Sequence, residues 1–511
     1  MNAETVKAPE PGGEPGSSQL GAPVVLTDER LKARTASAIG LTFLVSTSGR
    51  AVTVVTTFVL ARLLSPHDFG VANLATVILA VVLPLTDIGI AQGLIRGQKD
   101  NIVMAARTAF WLVIALGAAL YALFILASQP LANFYTDPDL APVLQVSGLS
   151  VILYSTSRIP SALLERELLY KKKVMPELIS SLLYAALAVG LAFAHFGYWS
   201  IVIATVVRSA AISIGVFAVT RWWPGISFDV KVAQELISYA RVLLASSMLR
   251  LAYTNVDNMI VGKVLGVTAL GFYAMAYNLG NLLATQIAGA VGTGLFPAYS
   301  RMLSDRRKVR AAMLTFLRYT GLVITPATVL GIVAAPYLIP LVVGSKWMPM
   351  TAALQVILIY GWLRSVAPVY STLMLAADLR RETLLINLLS LVVALPVAIP
   401  VVYQWGFFGI AVEFTALEVF RTLWMALAVG GRYRAGIWWQ LQQLWPGAAI
   451  SAFVGVLLAL VLRLPQSGAA PIVLGELFGA GIMYLALLLA FRQLGRDQLI
   501  LAGSLLQKKA A

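Results

Sequence analysis

The chain has 511 residues, of which 59% are hydrophobic and 12% are charged, and its net charge is +15. A soluble domain carries about twice that charged fraction, so the composition favours an integral membrane protein. The basic excess does not indicate a nucleic-acid partner, because Lys and Arg flank apolar segments rather than form one stripe. The lack of cysteine excludes disulfides and thiolate sites. His67 and His195 lie far apart in short loops and are interpreted as surface or interface residues, not metal ligands.

The apolar segments predict an all-α integral membrane protein with about 14 transmembrane helices. A bilayer core of about 30 Å needs about 20 helical residues, and hydrophobicity here is too continuous for barrel strands. The ninth segment contains Pro326, Pro336 and Pro340 and is expected to be kinked or partly interfacial. The predicted spans are residues 36–62, 69–94, 104–128, 141–161, 177–197, 199–221, 237–263, 268–296, 312–343, 350–376, 383–404, 406–429, 446–463 and 470–491.

Lys and Arg fall almost entirely in alternate gaps between these spans, which places those gaps, and both termini, in the cytoplasm. Residues 1–27 are rich in Pro, Gly, Glu and Ser without an apolar core, so they predict a disordered cytoplasmic tail rather than a signal peptide. The predicted units are a tail and short amphipathic lead-in (1–35), a six-helix lobe (36–221), a cytoplasmic linker (222–236), a second six-helix lobe (237–429), two extra helices (430–491) and a cytoplasmic tail (492–511).

An internal repeat supports the two lobes. The string ARLLSPHDFG at 61–70 is similar to GKVLGVTALG at 262–271, and GYWSIV at 197–202 is similar to GFFGIAV at 406–412. Six helices is an even number, so the two copies insert in the same orientation. Two such lobes, arranged as a V, are typical of an alternating-access carrier with its site between them. A linker helix over 226–236 is expected to lie on the membrane surface.

Charged side chains inside spans are the best candidates for function, since each costs about 2.5–3.5 kcal/mol at a helix centre. Arg50 and Arg250 lie mid-way through repeat-related helices, and Arg364 lies mid-way through the tenth span. We expect these three to line a central cavity and bind substrate. Their guanidinium groups match phosphate and carboxylate oxygens, so the cargo is expected to be anionic.

The remaining intramembrane charges have simpler interpretations. Arg208, Arg318 and Arg421 lie near span ends and are expected to reach the interface or to pair, Arg421 with Glu418 or Glu413. Asp87, Glu413 and Glu418 are interpreted as packing or ion pairs. For Asp257 two interpretations stay open: a helix-packing network, or a proton or sodium site that couples transport to a gradient.

Two passages, ARLLSPHDFGVANLATVILAVVLPLTDIGIAQGLIRG (61–97) and NVDNMIVGKVLGVTALGFYAMAYNLGNLLATQIAGAVGTGLFPAYSR (255–301), together with LLEREL and GYWSIV, resemble lipid-linked oligosaccharide flippases. These form the polysaccharide-export branch of the multidrug/oligosaccharidyl-lipid/polysaccharide exporter superfamily, and exporters of colanic-acid-type repeat units are the most similar. The resemblance covers residues 36 to 491.

The resemblance implies a transporter that moves undecaprenyl-diphosphate-linked exopolysaccharide units across the bacterial cytoplasmic (inner) membrane through a cationic cavity. The cavity cations of the family are matched here by Arg50, Arg250 and Arg364, which lie on the corresponding helices at about the same depth in the membrane. The resemblance implies no cofactor beyond a proton or sodium gradient and no nucleic-acid partner. Lipid-linked oligosaccharide, membrane lipids and polysaccharide polymerase or export machinery are the expected partners.

Three alternatives remain open. A cation-coupled drug or metabolite antiporter of the same superfamily would need acids rather than arginines in the cavity. A polysaccharide polymerase or ligase would need a large external loop with reactive groups, and the longest predicted external loop has about a dozen residues. A non-transporting scaffold would tolerate loss of the cavity cations. No motif for ATP use or for an enzyme active site is present, so a transporter is favoured over an enzyme.

Overall fold

The computed structural model describes residues 48–49, 51–87, 89–96, 102–463 and 470–490, and within these ranges the chain is helical and contains no strand. A chain in hydrocarbon must satisfy its backbone polar groups internally, which long apolar helices do. The α-helices are α1 (Ala51–Leu63), α2 (Pro66–Asp87), α3 (Ile90–Arg96), α4 (Ile102–Tyr135), α5 (Leu140–Arg166), α6 (Tyr170–Phe193), α7 (Trp199–Thr220), α8 (Val230–Leu265), α9 (Val267–Met302), α10 (Arg306–Val342), α11 (Thr351–Ala376), α12 (Arg380–Tyr433), α13 (Ile437–Val461) and α14 (Ala470–Ala490). A short 3₁₀ helix, Ser345–Met350, precedes α11.

The all-α membrane class is confirmed. Ten candidate spans are found in the described part of the chain. One of them, α12, breaks at Gly406, where φ is +60° and ψ is −151°, so that the predicted spans 383–404 and 406–429 are its two arms. The total of fourteen stays a prediction, partly because the first predicted span begins outside the described residues.

The structure gives the course of two segments for which the sequence made local predictions. The kink and the partly interfacial position of the ninth predicted span stay predictions. Residues 306–342 form one continuous helix, α10, that holds Pro326, Pro336 and Pro340 within it. The surface helix expected over 226–236 is not formed as one element. Residues 226–229 are non-helical, and residues 230–236 are the first turns of α8. Asp229 ends the non-helical stretch, because its carboxylate accepts from the amides of Lys231 and Val232 and so caps α8.

The two repeat strings meet in a reciprocal contact where α2 crosses α9. A Cβ added at Gly70 would lie 1.9 Å from the carbonyl oxygen of Val267, and a Cβ added at Gly271 would lie 1.9 Å from that of Pro66. Pro66 and Val267 occupy equivalent positions of the repeat, as do Gly70 and Gly271. Each half therefore places its glycine against the backbone of the other half, on the side predicted to be external.

Basic residues of the same strings strengthen this contact. Arg62 donates to the carbonyl oxygens of Leu341 and Val342 at the end of α10. Its repeat equivalent, Lys263, donates to the carbonyl oxygen of Phe134 at the end of α4. Helices α4 and α10 are the third spans of the two halves, so each half caps the equivalent helix C-terminus of the other, where the helix dipole favours a cation. We name these contacts, with Gly70 and Gly271, the reciprocal latch.

A buried tryptophan packs in the hydrophobic core next to the reciprocal latch. The Trp347 side chain is fully buried, and its indole nitrogen donates to the carbonyl oxygen of Ala61 at 2.8 Å. Its ring makes edge-to-face contacts with Phe69 of α2 and Phe272 of α9, at centroid distances of 5.3 and 5.8 Å. The largest hydrophobic cluster surrounds this point and contains residues of both halves.

Candidate functional site

Of the three predicted substrate-binding arginines, Arg364 is the one whose side chain is described. Arg50 lies outside the described residues. Arg250 lies on α8 as expected, but its side chain falls outside the described part of the structure. The convergence of the three guanidinium groups therefore stays a prediction.

Arg364 projects from α11 onto two tyrosines. Its Nη1 donates to the hydroxyl oxygens of Tyr277 at 3.2 Å and Tyr360 at 3.4 Å. Its guanidinium carbon also lies 5.6 Å from the centroid of the Tyr360 ring, which is a cation–π contact. These neutral partners hold the guanidinium without cancelling its charge, so Arg364 can still bind an anion.

One acid acts electrostatically on this arginine, but it is paired with another cation. Glu418 of α12 is close enough to act electrostatically on Arg364. Its carboxylate, however, makes a 2.8 Å ion pair with Arg421, one turn further along the same helix. Arg364 and Arg421 are thus both acted on by one buried carboxylate, that of Glu418. These three side chains together keep one net positive charge. The expected pairing of Arg421 with Glu418 is confirmed.

Asp257 lies in the same half, in a hydrogen-bonded network. Its carboxylate is 2% exposed and accepts from the Tyr273 hydroxyl at 2.8 Å and from the Asn258 amide at 3.1 Å. Asn258 in turn accepts from Asn73 of α2, in the other half of the chain. The rings of Tyr273, Tyr277 and Tyr360 contact one another in tilted pairs and connect this network to Arg364. Both interpretations of Asp257 fit this position, since it has hydrogen-bond partners and also joins the two halves.

The N-terminal half holds a polar cavity that the sequence did not predict. It measures about 430 Å³ and lies between α1, α5, α6 and α7. Three cations line it, one each from α5, α6 and α7: Arg158, Lys173 and Arg208. The remaining wall carries hydroxyl groups, an acid and a few apolar side chains: Thr53, Tyr154, Ser157, Ser161, Glu177 and Ser181 with Gly49, Val174, Leu178 and Ile212.

Most of the charge around this cavity is compensated. Arg158 donates from Nε to Asp87 Oδ2 at 3.0 Å, and Asp87 also accepts from the Ala91 amide at the start of α3. Lys173 makes a 2.8 Å ion pair with Glu165. Arg208 instead stacks on the Tyr184 ring at 5.8 Å from its centroid. A cavity of paired charges and hydroxyls suits a hydroxyl-rich ligand better than an anion.

A weak signal for this cavity exists in the sequence. Ser157 and Ser161 are four residues apart on α5, so they lie on one helix face together with Arg158 at its edge. The partners on α6 and α7 follow only from how the helices pack. Arg208, interpreted from sequence as an interfacial residue, lines the cavity instead.

One group of possible metal ligands is found in the described residues. His67 Nε2 lies 3.2 Å from Asp137 Oδ2, and Asp139 brings a third ligand atom within 4.8 Å of the others. Asp137 also accepts from the Asp139 amide through its other oxygen. Internal hydrogen bonds account for this arrangement, which lies at the α4–α5 turn, away from Arg364.

Comparison with known families identifies the class of protein. The model of the polysaccharide biosynthesis protein family matches residues 59–352, which is more than half of the chain. The match includes both strings of the first repeat and the passage 255–301. The chain therefore belongs to this family.

Curated relatives carry related descriptions. The lipopolysaccharide biosynthesis protein WzxC of Escherichia coli is 25% identical over 414 residues, covering 78% of this chain and 83% of the relative. The succinoglycan biosynthesis transport protein ExoT of Rhizobium meliloti is 27% identical over 312 residues, covering 60% of this chain and 62% of the relative. The teichuronic acid biosynthesis protein TuaB of Bacillus subtilis is 26% identical over 294 residues, covering 57% and 59%.

Solved structures show the fold. The lipid II flippase MurJ in an inward closed conformation superposes with a TM-score of 0.73 at 14% identity, covering 89% of this chain and all of that one. An inward-facing MATE family multidrug transporter superposes with a TM-score of 0.60 at 12% identity, covering 76% and 95%. The family match and the curated relatives confirm the resemblance to polysaccharide-export proteins, and the candidate spans agree with a multi-pass bacterial membrane protein.

Proposed function

We propose that this protein is a flippase for a lipid-linked oligosaccharide whose headgroup is a diphosphate. In this proposal the lipid is undecaprenyl diphosphate, the sugar is an exopolysaccharide repeat unit, and the membrane is the cytoplasmic membrane with both chain termini inside. Family membership and relatives described as polysaccharide biosynthesis and transport proteins support the substrate class.

The observation that supports the proposal most is that Arg364 has neutral hydrogen-bond partners and keeps its positive charge. It is held by tyrosine hydroxyls, and Glu418, the acid that acts on it electrostatically, is paired with Arg421. Such an arginine offers a charge-assisted, forked contact to a phosphate group, worth about 1.5–3 kcal/mol. Together with Arg50 and Arg250 it would line a cationic cavity between the halves, as proposed from the sequence.

Alternating access is supported by the reciprocal latch. Equivalent residues of the repeat make equivalent contacts at one end of the molecule. A symmetric contact of this kind can release as one unit, which lets the halves rock about a site between them. Opening on the predicted external side would require Arg62 and Lys263 to leave the helix ends that they cap.

The test is a leaflet-resolved assay with purified protein in vesicles and a set of lipid-linked sugars. Arg364→Ala and Arg250→Ala are expected to reduce translocation more than Arg208→Ala, which removes the same charge from the N-terminal cavity. In cells, lipid-linked units should then accumulate on the inner leaflet. Equal transport by all three variants would remove the cationic site from the proposal.

Asp257 is our proposed site of ion coupling from the sequence. Asp257→Asn is expected to change the dependence of transport on a proton or sodium gradient. An unchanged dependence would assign Asp257 to packing alone. Since the chain has no native cysteine, single cysteines placed near each terminus also provide a clean accessibility test of the proposed cytoplasmic location.

A further inference from the structure

Glu413 is unlike every other buried acid of the described residues. It lies on the second arm of α12, is 7% exposed, and neither of its carboxyl oxygens has a hydrogen-bond partner. The other buried acids each have one: Asp87 bonds to Arg158, Asp137 to His67, Asp257 to Tyr273 and Glu418 to Arg421.

The surroundings of Glu413 are apolar. It lies in a groove of about 380 Å³ between the two arms of α12. The groove walls are aliphatic and aromatic: Leu389, Val393, Val397, Trp405, Val412 and Phe420 are among them. Val393 and Val397 are 45% and 40% exposed. On a membrane span such exposed apolar side chains contact lipid, so the groove opens toward the bilayer.

Among the described residues, no cation forms an ion pair or hydrogen bond with this carboxyl. Of the charged groups described on the helices around it, Glu418 and Arg421 of the same arm pair with each other. Arg364 of α11 is held by tyrosines, and Asp257 of α8 is hydrogen-bonded to Tyr273. None of these side chains lines the groove. An ionised carboxylate without a partner is very costly in such surroundings, whereas a neutral acid is tolerated.

We propose that Glu413 is a proton-binding site that faces the lipid through the α12 groove. In the present conformation the carboxyl holds its proton. It releases the proton to water when the two arms move apart about the break at Gly406 and the groove becomes wet. Proton binding and release at Glu413 would thereby couple the gradient to the movement of α12, a role that rests on the proposed flippase function. The protonated carboxyl beside the lipid-facing groove does not depend on that function.

The first experiment tests the site by its reactivity. Dicyclohexylcarbodiimide enters lipid and reacts with protonated carboxyls: the acid oxygen adds to the carbodiimide carbon, and the acid proton goes to nitrogen. An acyl shift from oxygen to nitrogen then gives a stable N-acylurea with no atom lost. We expect mass spectrometry of the full-length protein in lipid vesicles to find this adduct on Glu413.

Internal controls make the labelling decisive. Glu418, five residues away on the same arm and paired with Arg421, should stay unmodified, and a water-soluble carbodiimide should leave Glu413 unmodified. Glu413→Gln should remove the adduct, and Glu413→Asp should retain part of it. Absence of the adduct on Glu413, or equal labelling of Glu418, would overturn the proposal.

The second experiment tests the role in transport. Glu413→Gln mimics the protonated acid, so the variant should fold and bind lipid-linked sugar but lose the dependence of translocation on a proton gradient. Full gradient dependence in Glu413→Gln would overturn the coupling role. If the wild-type protein moves no lipid-linked sugar while Glu413 is labelled, the proposed function fails and the protonated site stands.

Discussion

Two regions of this molecule hold their cations differently: the N-terminal cavity pairs two of its three cations with acids, whereas Arg364 has tyrosine partners. In the N-terminal half, Arg158 and Lys173 are neutralised by Asp87 and Glu165. In the C-terminal half, Arg364 is held by Tyr277 and Tyr360, which leave its charge in place.

The difference shows that cations within membrane helices can keep or lose their net charge, depending on the partners that the fold provides. Paired charges cost little once formed and fix how helices meet, whereas a cation held only by hydroxyls keeps its attraction for an anion. We therefore expect substitutions in the N-terminal cavity to affect mainly stability, and substitutions around Arg364 to affect mainly transport.

The largest effect on stability is expected for Asp87→Ala. It leaves Arg158, whose side chain is 20% exposed, without a counter-charge and removes the cap of α3. Breaking a fully buried pair costs about 3–5 kcal/mol, which sets the upper bound here. Thermal unfolding in detergent measures the loss. The double variant Asp87→Leu/Arg158→Met should recover most of it, because neither charge is then left alone. A double variant no more stable than the single one would show that the charge pair is not the cause.

The latch should be the next most sensitive region. Gly271→Ala places a methyl group against the backbone of Pro66, and overpacking of this kind costs about 1–3 kcal/mol. The closed contact should weaken, which cross-linking between cysteines introduced on α2 and α9 can follow. Gly431→Ala is the matched control, because no atom lies within 4 Å of its added Cβ. Equal effects of the two substitutions would argue against a close contact at Gly271.

A smaller effect is expected when an arginine partner is removed. Tyr277→Phe deletes one of two hydroxyls that hold Arg364, and a net hydrogen bond is worth about 1 kcal/mol, or roughly fivefold in transport. The loss of stability should not exceed about 1 kcal/mol. Tyr299→Phe serves as the control, because the Tyr299 hydroxyl is buried without a partner and its loss should be neutral. Similar transport by both variants would show that the hydrogen bond between Tyr277 and Arg364 does not contribute to transport.

The smallest effect concerns the start of α10 and depends on pH. The amides of Lys308 and Arg307 donate to the Asp305 carboxylate and lower its pKa. Because the folded-state pKa is depressed, this stabilisation is present at neutral pH and is lost as the pH falls through that lowered pKa. Asp305→Ala should therefore lower the unfolding temperature slightly at neutral pH. The difference from wild type should shrink in acid, and a constant difference would exclude the carboxylate as its source.

Much of the fold could be predicted from local pattern. The long apolar segments of the sequence coincide with helices because a backbone in lipid has few other ways to satisfy its polar groups. The pairing of Arg421 with Glu418 was also predictable, since residues three apart share a helix face. The resemblance of residues 255–301 to exporters was sufficient to identify the superfamily.

The N-terminal cavity and the unpartnered state of Glu413 could not be predicted in this way. Asp87 and Arg158 are 71 residues apart, and no sequence rule states that they meet. From the sequence, Glu413 was interpreted as a packing residue or an ion-pair partner, as Glu418 was. Only the direction in which each side chain points separates the acid with a partner from the acid without one.

The sequence by itself determined that this chain crosses a membrane as helices, that it contains a repeat and that arginines lie within its spans. These properties follow from composition and spacing along one helix. Tertiary structure alone decided which charges are neutralised, because that depends on atoms brought within a few ångströms by helices far apart in the chain. It also decided what the repeated glycines do, since their close approach to Pro66 and Val267 exists only when the two halves meet.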